Sequence, residues 1–256
     1  MIGIGNILLT IYFWLVVTLS TIVTFIVCLC SSPFLSQKQF VSLYQSIFGT
    51  MLLYPMTIPR FWTIKITDVR KSENRHFDKP YIIIANHASF IDTLVATKIP
   101  LVKKFIMAKE FTKIPLFGWL CQKSGHIAVS DRSDRLGKLC QSNNHNRQSA
   151  VDLSIKAMND GSSFMIYPEG SRSKDPHKLL PFKTGAFRLA QKTGIHILPI
   201  IIKGTGKAMP IGGFCHLSDI EIIIGDPIEI SKKHKNLRDD PQLEMVRKFI
   251  QSHLNR

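Results

Sequence analysis

Two long uncharged runs open the chain, and an alternation of short apolar runs with amphipathic stretches follows. Residues 7–29 (ILLTIYFWLVVTLSTIVTFIVCL) contain no charge, no Gly and no Pro. As a helix this run would be about 35 Å long, enough to cross a hydrocarbon core of about 30 Å. A cleaved signal peptide is the rival reading, but it needs a basic leader and a shorter apolar core. Nothing basic precedes the run, and Val27 and Leu29 flank Cys28 where a cleavage site would need small residues. The expectation is a membrane-embedded helix. Residues 41–59 (VSLYQSIFGTMLLYPMTIP) are also uncharged but are interrupted by Gln45, Gly49 and Pro55. That stretch fits a helix lying in the interface or returning halfway, with a core helix of the next domain as the alternative.

Beyond Pro59 the period changes. Residues 62–66, 81–85, 105–108, 127–129, 163–167, 195–202 and 220–224 read as strands. Between and after them, 90–97, 111–123, 149–159, 184–192 and 242–254 carry a helical pattern. Near-continuous apolar strands separated by helices predict an α/β fold: a mixed, largely parallel sheet flanked by helices, behind an N-terminal membrane-embedded segment. The expected organisation is an anchor over residues 1–59 and a globular domain over 60–256. In such sheets ligands gather beyond the carboxyl ends of the strands, so the residues just after each strand matter most.

Charge sharpens this division. The 256 residues carry 33 Lys and Arg against 18 Asp and Glu, a net charge of +15. No charged side chain occurs before Lys38, and Lys38 is the only one before Arg60. Because Lys38, Arg60, Lys65, Arg70 and Lys71 all follow the apolar run, the positive-inside rule places the domain on the cytoplasmic face of a membrane, the inner membrane if the source is bacterial. Five cysteines, at 28, 30, 121, 140 and 215, form no C-x-x-C pair, so neither a zinc site nor a disulfide framework is expected.

Three strand exits carry candidate chemistry. The first, YIIIANHASFIDT, places His87 and Asp92 five positions apart across a strand-to-helix turn. A carboxylate on one ring nitrogen fixes the tautomer and leaves the other nitrogen to take a proton. On residue type alone, a histidine capping a helix or filling a polar niche is the favoured reading. The second, SSFMIYPEGSRSKDP, delivers Glu169, Gly170, Ser171 and Arg172 into a turn, where Gly170 permits positive φ and Arg172 offers a planar fork for phosphate or carboxylate. An ordinary turn with a surface Glu/Arg pair is the plain alternative. The third, LPFKTGAFRLA, puts Lys183, Thr184 and Gly185 before a helical pattern, where amides and a lysine would suit an anion as well as solvent. No G-x-S-x-G elbow, P-loop or H-E-x-x-H occurs, so covalent acyl-enzyme and zinc chemistry lack residue support.

NHASFIDT, KEFTKIPLFGWL, SGHIAVSDRSD, YPEGSRS (commonly FPEGTRS), LPFKTGAFRLA and ILPI follow one another over residues 81–202. In residues and order the chain resembles the glycerolipid acyltransferases, above all those acting on 1-acyl-sn-glycerol 3-phosphate. The resemblance implies no bound cofactor, an acyl-CoA or acyl carrier protein thioester as co-substrate, and lysophosphatidic acid as acceptor. It implies His87 as general base, Asp92 as its orienting partner, and Lys109, Arg132 and Arg172 as holders of the acceptor phosphate. Glu169, with Gly170 and Ser171, would shape the phosphate loop by pairing with a cationic side chain. One block departs from the pattern: six residues separate Gly125 from Arg132, where five are usual. Expected partners are membrane lipid, an anionic membrane surface and acyl carrier protein. Acylation of another acceptor, glycerol 3-phosphate or a different lysolipid, is the alternative within this class. Outside it, the pI of about 9.7 suggests a membrane-tethered basic binding protein. A nucleic-acid partner is not expected, since no recognition motif accompanies the charge.

Overall fold

The computed structural model describes residues 3–129, 150–231, 237 and 240–255. Two helices lead the chain, α1 (Ile4–Ser31) and α2 (Gln37–Thr57). The sheet strands are β1 (Trp62–Asp68), β2 (Ile82–Ala85), β3 (Lys103–Ala108), β4 (Ile127–Val129), β5 (Ser163–Ile166), β6 (Ile197–Lys203) and β7 (Ser218–Ile224). Between and after them lie α3 (Asp92–Val95), α4 (Phe117–Lys123), α5 (Ala150–Met158), α6 (Gly185–Thr193), α7 (Thr205–Ala208) and α8 (Pro241–Leu254). The strands form one sheet in the order β1-β7-β6-β2-β5-β3-β4. Every neighbouring pair is parallel except β6 with β7. The mixed, largely parallel sheet expected from the apolar runs is therefore present.

Period-two alternation in the strands sorts side chains onto two faces. Ile83 and Ala85 of β2 join a cluster with Ile200 and Ile202 of β6, Phe40, Tyr44, Phe48 and Leu52 of α2, and Leu9 and Phe13 of α1. Ile82 and Ile84 point the other way, into a cluster with Phe187 and Ala190 of α6 and Val246 and Ile250 of α8. Residues 3–57, set apart from the domain by their lack of charge, thus share one core with it and supply much of the layer on one sheet face.

Helix α1 buries a single stripe, Leu9, Phe13, Val16, Ser20, Thr24 and Cys28, at the 3–4-residue spacing of a helix face. The helix packs chiefly on α2 and meets the domain between Thr10 and Phe25. Tyr12 touches Phe61, Phe13 touches Trp62, Trp14 touches Phe90 and Phe25 touches Trp119, with ring centroids 5.3–5.9 Å apart. The Cys215 amide also donates to Thr10 Oγ1 at 2.8 Å. The opposite face presents Leu8, Ile11, Leu15, Leu19, Ile22 and Ile26 outward.

Helix α2 starts on a capping box, in which the Gln39 amide donates to Ser36 Oγ while Gln39 Oε1 accepts from the Ser36 amide. It runs through Pro55 to Thr57. Gln45 fastens it to β3, donating from Nε2 to the Lys103 carbonyl and accepting the Lys103 amide on Oε1. At Gly49 the helix passes so close to Thr97 that a Cβ would sit 2.5 Å from Thr97 Oγ1.

Candidate active site

Strand β2 lies at the centre of the sheet, and its exit carries Asn86 and His87. The Asn86 side chain donates to the Ile202 carbonyl and accepts the Ile202 amide, both at 2.8 Å, which anchors the exit to β6. The chain then turns, and Asp92 opens α3. His87 Nδ1 and Asp92 Oδ2 are 2.7 Å apart, and the amides of Ala88 and Ser89 donate to the same oxygen at 2.8 Å each. Asp92 is fully buried, whereas the His87 side chain keeps 19% of its surface. With Nδ1 engaged, Nε2 is the ring nitrogen left for a substrate. The turn brings together two residues that a straight helix would hold about 140° apart.

β5 runs beside β2 in parallel register, with Ile84 opposite Ile166. Its exit therefore emerges next to His87. The Tyr167 ring lies flat on the imidazole, with centroids 4.1 Å apart and planes at 15°. Tyr167 Oη reaches Thr93 Oγ1 at 3.3 Å. Gly170 takes φ +70°, as a turn at this position requires. The Ser173 amide donates to the His87 carbonyl at 2.7 Å, tying the two exits together.

Glu169 is held by backbone amides. Among the described residues it pairs with no cationic side chain; Oε1 accepts the His87 amide and Oε2 the Leu180 amide, both at 2.8 Å. The reason is its placement: the carboxyl is buried at the junction of two loops whose amides have no strand partner. Burial pushes its pKa up to about 7 against the pull of these two bonds.

A cavity of about 530 Å³ opens at His87. Gly170, Ser171 and Arg172 line it together with His87, and Arg172 is exposed. Lys109 is exposed and is not among the lining residues, although its neighbours Ala108 and Glu110 are. Arg132 lies outside the described residues. The walls away from the polar groups are aromatic and aliphatic: Phe90, Leu94, Phe105, Ile106, Met107, Phe111 and Phe117. Helix α2 adds Tyr44, Gln45 and Phe48. His126, just before β4, also lines the cavity, three strand spacings or about 14 Å from β2. Burial, with the Lys104 charge adding to it, lowers the His126 pKa to about 3, which keeps the ring neutral.

Sequence reasoning located His87, Asp92 and the loop of Glu169–Arg172 but missed Tyr167 and the part played by α2. Tyr167 reads as one more apolar strand residue until the β2–β5 register sets it against His87. The unbroken hydrophobicity of α2 conceals which of its residues face a cavity. The leucine-proline-isoleucine run at Leu198–Ile200 proves to be interior β6, with Pro199 opposite Ile84.

Comparisons with known proteins bear on the family and the fold. The family model described as Acyltransferase matches residues 66–203. A chloroplastic 1-acyl-sn-glycerol-3-phosphate acyltransferase of Brassica napus is 31% identical over 228 residues, covering 86% of this chain and 61% of its own length. A chloroplastic relative of the same name from Arabidopsis thaliana is 28% identical over 229 residues, 87% of this chain and 59% of its own. The chain thus spans about 60% of the length of these curated relatives. The crystal structure of the 1-acyl-sn-glycerophosphate acyltransferase from Thermotoga maritima superposes with a TM-score of 0.77 at 23% identity, covering 98% of this chain and 95% of that one, and shares its fold. With the family model spanning more than half of its residues, the chain belongs to the acyltransferase family.

Proposed function

We propose that this protein transfers an acyl chain from a thioester to the sn-2 hydroxyl of 1-acyl-glycerol 3-phosphate, giving phosphatidic acid. The observation that carries the reading is the His87–Asp92 pair, 2.7 Å apart, at the mouth of a largely apolar cavity with Arg172 on its lining. The acceptor hydroxyl gives its proton to His87 Nε2 as its oxygen attacks the thioester carbonyl. The C–S bond then breaks, and the departing thiolate takes the proton back from the imidazolium. Asp92 holds the tautomer and stabilises the positive ring between these transfers. No nucleophilic side chain is needed, because the base makes the hydroxyl competent. The apolar walls suit an acyl chain, and Arg172, with a fork matched to phosphate, suits the acceptor headgroup. Lys109 and Arg132 complete the proposed phosphate-binding set. Acyl-CoA and acyl carrier protein both satisfy the donor chemistry, and no bound cofactor enters it.

The lipid reading also accounts for α1. Its inner stripe is packed on the domain while its outer face is apolar. We place it in the plane of the membrane surface, its outer face in the lipid and the basic domain against anionic headgroups on the cytoplasmic side.

His87→Ala should abolish transfer from an acyl thioester to lysophosphatidate while leaving the melting transition and vesicle binding intact. Undiminished turnover by the purified variant would refute the assignment. Arg172→Ala should raise the acceptor KM about tenfold or more, through loss of a charge-assisted contact, and leave the donor KM alone.

A further inference from the structure

We infer that Tyr167 is a positioning residue, whose stacked ring fixes the plane in which the His87 imidazole meets substrate. The inference rests on the role proposed above for His87. The bond from Nδ1 to Asp92 pins one edge of the imidazole but leaves the ring free to tilt about that bond. Only a surface pressed against the ring face opposes the tilt, and Tyr167 supplies one at 4.1 Å and 15°. Other ring pairs among the described residues stand 4.5–6.4 Å apart. Tyr167 is itself held at both ends. Its backbone leaves β5 beside the β2 exit, and its hydroxyl lies 3.3 Å from Thr93 Oγ1, on the residue directly after Asp92. The stacked ring, carried by the β5 exit, therefore backs the imidazole, and the long hydroxyl contact is secondary to it. An aromatic face also meets the charge of the protonated imidazole favourably, which an aliphatic side chain of similar bulk does not.

A residue that merely fills space would make the same demand on Leu as on Phe; a brace for the imidazole plane would not. The test uses the full chain in phospholipid nanodiscs, as wild type, Tyr167→Phe, Tyr167→Leu and His87→Ala. In proton–carbon NMR spectra the His87 Hε1 signal is identified as the one missing from His87→Ala. It should lie upfield in the wild type from the ring current of Tyr167, stay there in Tyr167→Phe, and move downfield in Tyr167→Leu. With lysophosphatidate and an acyl thioester, Tyr167→Leu should lose about 10- to 100-fold in kcat, with both KM values within about threefold of wild type. Tyr167→Phe should stay within about threefold on all three parameters, since the stack survives and only the hydroxyl contact is lost. Should Tyr167→Leu show no cooperative melt, Tyr167→Met is read in its place. An unmoved His87 signal, a normal kcat, or a loss confined to KM in the aliphatic variant overturns the role of Tyr167. A wild-type protein that transfers no acyl group refutes the proposed function, and the inference with it. An active wild type with a normal Tyr167→Leu refutes the inference alone.

Discussion

Glu169 is charged at a cost. Its carboxyl titrates near 7 in the folded chain, against an ordinary value of 4.5, because burial outweighs the bonds from the His87 and Leu180 amides. Between those values the folded chain binds more protons at this site than the unfolded chain does. Its stabilising contribution is therefore complete below about 4.5 and is lost as pH rises through about 7. Urea titrations at pH 4.5 and 7.5 should show this contribution, and Glu169→Gln should remove it. The same variant should lose about 1–3 kcal/mol, since its NH₂ would confront one of the two backbone donors. The glutamate itself was legible in the sequence, but its partners were not. The amides it joins lie 82 and 11 positions away and belong to residues of no special type. His87 and Asp92 were legible because their pairing needs only one turn, and the strand-to-helix pattern announces that turn.

At the scale of elements, the apolar runs predicted all seven strands to within two residues at each end, since a buried parallel sheet leaves strands almost wholly hydrophobic. The segment read as a helix over 90–97 is shorter, with α3 beginning at Asp92, because Asn86–Ile91 are spent on the turn that presents His87. Helix α2 was harder to place. A run with no charge gives no sign of which side meets lipid, core or cavity, and all three environments are apolar. The polar residue that interrupts it, Gln45, turns out to be the weld between helix and sheet. Gln45→Leu would leave the Lys103 amide and carbonyl unpaired in a buried setting, costing about 1–3 kcal/mol for each group. The expected result is a lower melting temperature together with poorer acyl transfer, because the same helix lines the cavity.

For the molecule as a whole, charge segregation at Pro59 suggested an anchor joined to a domain, whereas the packing shows a shared core. Deleting residues 4–31 should therefore yield an unfolded or aggregated chain instead of a soluble enzyme, because Trp62 and the aromatic rings around it would lose their cover. The outer face of α1 can be altered without that penalty. Leu15 and Leu19 are 56% and 52% exposed, so Leu15→Lys with Leu19→Lys should keep the melting transition of the wild type. Flotation with anionic vesicles should show the double variant left behind in the soluble fraction. Binding as tight as that of the wild type would argue that this face does not enter the membrane.

The long contact between α1 and the domain has a kinetic consequence. A helix packed lengthwise on its own domain cannot stand upright through a bilayer while the domain stays in water, so on our reading the reaction is confined to a surface. Collisions with the acceptor then occur in two dimensions. The rate should follow the mole fraction of lysolipid among the surrounding lipids and fall when inert phospholipid is added at constant bulk concentration, as in surface-dilution kinetics.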